Sequence, residues 1–148
     1  MEDKKIAIGA DHAGFELKEQ IKKFLESEGY KITDFGTNSI DSVDYPLIAK
    51  ALANSVAQKD PTKGILICGT GIGMSIAANK IKGIIAANCC DSETAKLARS
   101  HNNSNVLALG ARILDIEKAK QIIKTWLETD FEGGRHQRRV QEIKDLEK

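Results

Sequence analysis

Short apolar runs alternating with stretches of helical spacing constrain this chain most. Lys5-Ile6-Ala7-Ile8-Gly9-Ala10, Gly64-Ile65-Leu66-Ile67-Cys68 and Asn105-Val106-Leu107-Ala108-Leu109 are too short and too apolar for anything but buried strands. Gly83-Ile84-Ile85-Ala86-Ala87 reads as another, and Tyr30 to Phe35 alternates as a strand after the helix-ending Gly29. Between them, Leu17, Ile21, Phe24 and Leu25 recur at helical spacing. Pro46 suits a first helical turn, continued by Leu47, Ala51 and Val56. A short helix over 76–81 follows the glycine-rich turn, and another runs over 92–99 with Asp91 or Ser92 as its N-cap. Ile116, Ala119, Ile122, Ile123, Trp126 and Leu127 mark an amphipathic helix, and Val140, Ile143 and Leu146 a last one. Strands separated by helices throughout mean βαβ units, a five-stranded parallel sheet and an α/β fold.

At 148 residues the chain reads as one domain over 1–148, with no repeat or linker. A net charge of +1 provides no global field to favour nucleic acid or an anionic membrane. No apolar run has the length of a signal peptide or membrane span. Three cysteines, two of them adjacent and none in a CxxC pair, fit free thiols in a reducing cytoplasm. The three histidines are scattered along the chain and form no HExxH-like pattern, so no metal is expected.

Ligands of open α/β sheets bind beyond the carboxyl ends of the strands. That rule selects Asp11-His12, the segment Cys68 to Gly73, and the turn after the fifth strand. Cys68-Gly69-Thr70-Gly71-Ile72-Gly73-Met74-Ser75 lets backbone N–H groups converge at a helix start, which suits a phosphate or a developing oxyanion. A merely tight turn is the plain alternative. No Gly-Lys-Ser/Thr follows, so it is not a P-loop, and GxGxG after a third strand is a poor dinucleotide fingerprint. Cys68, at the mouth of that loop, is placed to act as a base or nucleophile, or is simply a small core residue. Cys89 and Cys90 read as structural. Asp11 is explained by N-capping alone, whereas His12 has no comparable structural excuse. His101 ends a helix, where the dipole alone favours histidine. Arg135, Arg138 and Arg139 follow Gly133-Gly134, and Arg135 and Arg139 share a helical face that suits phosphate. The alternative is a solvated charge run.

Taken in order, these segments resemble the ribose-5-phosphate isomerase B family, which includes the galactose-6-phosphate isomerase subunits. The resemblance rests on Gly9-Ala10-Asp11-His12-Ala13-Gly14, Asp34-Phe35-Gly36-Thr37, Asp44-Tyr45-Pro46 and the run from Ile67 to Lys80. It continues through Ser100-His101-Asn102-Asn103, the run from Asn105 to Arg112, and Phe131-Glu132-Gly133-Gly134-Arg135-His136. One departure is Ile85, where relatives often carry arginine.

The resemblance implies a Rossmann-like three-layer α/β/α sandwich, a homodimer or dimer of dimers, and neither cofactor nor metal. It implies cytoplasmic interconversion of D-ribose 5-phosphate and D-ribulose 5-phosphate in the pentose phosphate pathway. Cys68 would be the base, with Thr70 orienting a proton and the N–H groups of Gly69, Gly71, Ile72 and Gly73, with Ser75, around the enediolate. His101 would open the sugar ring and Asp11 would bond its hydroxyls. Tyr45 and Asn102 would line the sugar. His12, Arg112, Arg135 and Arg139 would surround the phosphate, the last two coming from the neighbouring subunit. A C-terminal arm, about 131–148, would dock its Val140, Ile143 and Leu146 stripe on that neighbour. The rival readings are a galactose- or allose-6-phosphate isomerase and a non-catalytic sugar-phosphate-binding module.

Overall fold

The structure, a computed structural model, describes residues 4–147; residues 1–3 and 148 of the expected single unit lie outside it. Eleven elements follow in order: β1 (Lys5–Ala10), α1 (Phe15–Ser27), β2 (Lys31–Asp34), α2 (Tyr45–Ala57), β3 (Gly64–Cys68), α3 (Ile72–Ala78), β4 (Ala86–Asn88), α4 (Ser92–Ser100), β5 (Val106–Gly110), α5 (Ile116–Glu128) and α6 (Arg135–Asp145). The five strands form one parallel sheet in the order β2-β1-β3-β5-β4. Among the described residues, no helix is long and apolar enough to cross a membrane.

Successive side chains of a strand face opposite ways, so a strand buried on both faces must be apolar at every position. β3 and β5 are buried along their whole length. Ile65, Ile67, Leu107 and Leu109 pack on one face with α1, α4 and α5, around the fully buried Trp126. Leu66, Cys68, Val106 and Ala108 pack on the other with α2 and α3. The three-layer sandwich is therefore present.

Four sequence expectations shift. The helix after the glycine-rich turn spans Ile72–Ala78 rather than 76–81, because Gly71 in the left-handed conformation caps it directly. β4 begins at Ala86 rather than Gly83, because Gly83 turns with positive φ and the Ile84 N–H is taken by the Ile81 carbonyl. The side chain of Asn79 then pairs with both backbone groups of Ala86, which starts the strand there. In α2 the buried face is Ala49, Leu52, Ala53 and Val56, while Leu47 and Ala51 face outward. In the C-terminal arm, Val140 is buried within its own chain, and Glu147 accepts the Gly83 N–H at 2.7 Å. Only Ile143 and Leu146 of the expected stripe are exposed.

A buried charge cluster ties α1 to the end of β2. Lys18, fully buried, donates to Asp34 at 2.6 Å, Lys22 donates to the same carboxylate oxygen at 2.8 Å, and Glu19 lies 3.1 Å from Lys18. The other Asp34 oxygen accepts the Gly36 N–H at 2.8 Å. Gly36 and Thr37 in turn pair with Ala10, the residue before Asp11. Burial pushes the Asp34 carboxyl up, but the bonds from Lys18, Lys22 and Gly36 outweigh it and hold the pKa below the ordinary value. A carboxylate with a depressed folded pKa stabilises the fold above its unfolded pKa, and that stabilisation fades as pH falls through the folded value. Asp34→Asn should thus destabilise the fold at pH 7 by about 3 kcal/mol, because it leaves the Lys18 charge buried with only Glu19 beside it. Urea unfolding measures this, and the gap between native and variant protein should narrow as pH drops below about 4. A gap unchanged down to acid pH would mean that Asp34 acts through shape and not charge.

Candidate active site

β1 sends the chain through α1 to β2 on one side, while β3 lies on its other side, so the strand order reverses between β1 and β3. The crevice beyond their carboxyl ends is the topological switch point, the ordinary ligand position of such sheets. Asp11 and His12 leave β1 there, and Cys68 ends β3 there. The Asp11 N–H donates to the Ile67 carbonyl at 3.1 Å, and the Asp11 side chain accepts the Gly14 N–H at 3.1 Å. Gly14, not Asp11, is the N-cap residue of α1.

The Cys68 side chain is close to fully buried, and its Sγ accepts the Gly71 N–H at 3.1 Å. That geometry needs Gly71 at φ 84°, a left-handed conformation in which a Cβ would also strike the Asn88 side chain and the Leu109 backbone. Thr70 is exposed, and its Oγ1 accepts the Ile72 N–H at 3.2 Å, leaving its hydroxyl hydrogen to donate. Two expected site residues lean directly on this loop. The Tyr45 ring lies so close to Gly73 that a Cβ there would be 2.6 Å from it. The Arg112 guanidinium crosses Gly69, where a Cβ would meet it at 3.0 Å. His12 lies at the end of β1, but it does have a structural partner: its Nδ1 accepts the Val43 N–H at 3.2 Å and holds the segment leading into α2. Ile72 and Ser75 are on α3, exposed and half-buried.

His101, Asn102, Arg135 and Arg139 are elsewhere. α4 starts at the carboxyl end of β4 and runs back, so its C-cap His101 lies before the amino end of β5. Cys68 pairs with Gly110 at the far end of that strand. Four residue steps of strand, roughly 13 Å, separate the two ends even before the connecting turns are added. Arg99, buried over Trp126, fastens this second region. It donates to the carbonyls of Thr129 and Ser104 and to Asn103. The Glu132 N–H donates to the Ser100 carbonyl at 3.0 Å, which brings the start of α6 against His101. The His101 and His136 rings stack with centroids 4.1 Å apart and 13° between planes. Burial, then the neighbouring His101 and Arg135, lower the His136 pKa. Arg135 and Arg139 are exposed on α6. Ile85 is at the same amino end, its N–H donating to Asn105. The three histidines scattered in sequence are therefore not all scattered in space.

Two residues of these regions carry no role in the sequence reading. Asn88, the last residue of β4, has its carboxamide against Gly71, and the strand-end rule would have selected it had the strand been drawn to its end. His136 is buried and stacked on His101, and nothing in its charged surroundings along the chain signals that.

The sequence profile described as Ribose/Galactose Isomerase matches residues 6–143. Ribose-5-phosphate isomerase B of Escherichia coli strain K12 is 49% identical over 144 residues, covering 97% of each chain. D-erythrulose-4-phosphate isomerase of Pectobacterium atrosepticum is 46% identical, covering 93% of this chain and 91% of that one. The structure of ribose-5-phosphate isomerase B from Mycoplasma genitalium, with bound ribulose-5-phosphate, superposes with a TM-score of 0.93 at 42% identity, covering 97% of this chain and 95% of that one. With agreement in fold, motif order and nearly the full length, this chain belongs to the ribose/galactose isomerase family.

Proposed function

We propose that the chain is an aldose–ketose isomerase that interconverts D-ribose 5-phosphate and D-ribulose 5-phosphate through an enediolate. The observation that carries this reading is the Cys68 sulfur, held by the Gly71 N–H at 3.1 Å at the switch point of the sheet. Isomerisation needs a base at C2, stabilisation of the enediolate oxygens and a proton shuttle between O1 and O2. Cys68 takes the C2 proton. The N–H groups of Gly69, Thr70 and Gly73 face the developing negative charge, those of Gly71 and Ile72 hold Cys68 and Thr70 in place, and Thr70 donates to the oxygens. Asp11 bonds sugar hydroxyls, Tyr45 lines the sugar, and His12 and Arg112 approach the phosphate.

The ring opener His101, with Asn102, Arg135 and Arg139, then comes from a second copy of the chain. The neighbour lays its amino-terminal sheet end over the Cys68 loop, so more is shared than the two arginines. Leu47, Ile72, Ile76 and Ile113 support a homodimer or dimer of dimers, because each is more than half exposed on the single chain. The arm delivers its arginines while packed through Val140 on its own subunit. The cytoplasm and the pentose phosphate pathway are the setting that fits this substrate.

The deciding experiment is turnover of four-, five- and six-carbon aldose phosphates side by side. Ribose 5-phosphate should show the highest kcat/KM, above the erythrulose 4-phosphate pair and above galactose or allose 6-phosphate. A higher value for a shorter or longer sugar would reassign the substrate. Binding of all with turnover of none would make the chain a sugar-phosphate-binding module.

A further inference from the structure

Two of the three histidines stand face to face, and the proposed reaction uses only one of them. His101 caps α4, Glu132 is fastened beside it through the Ser100 carbonyl, and His136, four residues on, lies in the first turn of α6. His136 Nε2 is 3.5 Å from Glu132 Oε1. One ligand atom from each of the three residues lies within 4.8 Å of the others. Two imidazole nitrogens and one carboxylate oxygen are a donor set for borderline divalent ions, with a fourth position left for water.

We infer that His101, Glu132 and His136 bind one divalent transition-metal ion of the Zn²⁺ type, and that the bound ion takes His101 out of proton transfer. The second half rests on the ring-opening reading of His101; the first does not. Ligand atoms about 2.1 Å from a tetrahedral ion stand roughly 3.4 Å apart. His136 and Glu132 already meet that spacing, and the widest pair must close by up to about 1.4 Å. Glu132 is exposed and His101 half-buried, so both side chains have room to move. Stacked rings point their lone pairs side by side, so His101 must turn and the stack open as the ion enters. Arg135 and Arg139 oppose a cation, which keeps the ion exchangeable.

The test begins with the full chain carrying Cys68→Ala and Cys90→Ser, so that neither thiol contributes to binding. Titration of Zn²⁺ against a chromogenic chelator should give one ion per chain. Glu132→Gln, exposed and of the same shape, and His136→Gln should each weaken that binding at least tenfold, a loss that supporting residues alone can cause. No binding, or binding indifferent to both substitutions, would overturn the site. In the Cys90→Ser enzyme, ribose 5-phosphate turnover should fall as Zn²⁺ is added, recover with EDTA, and become correspondingly less sensitive in Glu132→Gln. Zn²⁺ bound with turnover unchanged would overturn the link to His101. Absence of turnover before Zn²⁺ is added would speak against the isomerase reading alone, and the titration decides the site either way.

Discussion

Cys68→Ala should lower exchange of the substrate C2 proton with solvent by roughly 10²- to 10⁴-fold, the usual contribution of a positioned general base. Substrate should still bind, because the loop N–H groups, His12 and Arg112 remain. The sulfur lies among Leu66, Met74 and Ala108, so the substitution removes one small buried group. The stability loss should be on the order of 1 kcal/mol, too little to empty the folded state. Urea unfolding of the variant separates this loss from the chemical one. Alkylation by a small reagent should inactivate the native enzyme, with bound substrate protecting it. Near-native exchange in deuterated water by Cys68→Ala would remove Cys68 as the base and transfer the role to another group at the switch point.

Cys68→Ala and Arg139→Ala, each inactive alone, should complement one another when unfolded and refolded together. The sheet carries Cys68 at one end and the start of α6 at the other, so one chain does not unite them. In a two-fold dimer with shared sites, a mixed pair holds one site with both lesions and one site with neither. Random pairing makes about half the dimers mixed, so activity should return to roughly a quarter of native if sites act independently. Arg139 is exposed, so its replacement should not disturb the fold and confuse the result. If both residues served the site of their own chain, every site would keep a lesion and mixing would restore nothing. Mixed dimers shown to form, yet inactive, would overturn the shared site.

Local chemistry explains which parts of this molecule were legible along the chain. Gly64-Ile65-Leu66-Ile67-Cys68 can only be a strand buried on both faces, and five strands alternating with helices determine a parallel sheet with two covering layers. The Cys68 loop was legible too, since its glycines, its thiol and its position after a strand are all local properties. What the chain by itself did not disclose is which strands neighbour one another. β5 enters between β3 and β4 because its fully buried residues need neighbours on both edges, whereas the three-residue, half-exposed β4 tolerates the rim. Nor did it disclose that His101 and Cys68 lie at opposite ends of the sheet. Each is a plausible functional residue by its neighbours, but their separation depends on the direction in which α4 returns. The same holds for His136, which reads as one more residue in a charged run. It becomes a buried ring on His101 only because the Glu132 N–H and the Arg99 guanidinium draw the start of α6 onto the end of α4. Apolar periodicity and turn chemistry act over a few residues and so determined the elements and the loop. Strand order and the meeting of distant helix ends depend on burial shared among segments far apart in the chain, and only the tertiary structure decided them.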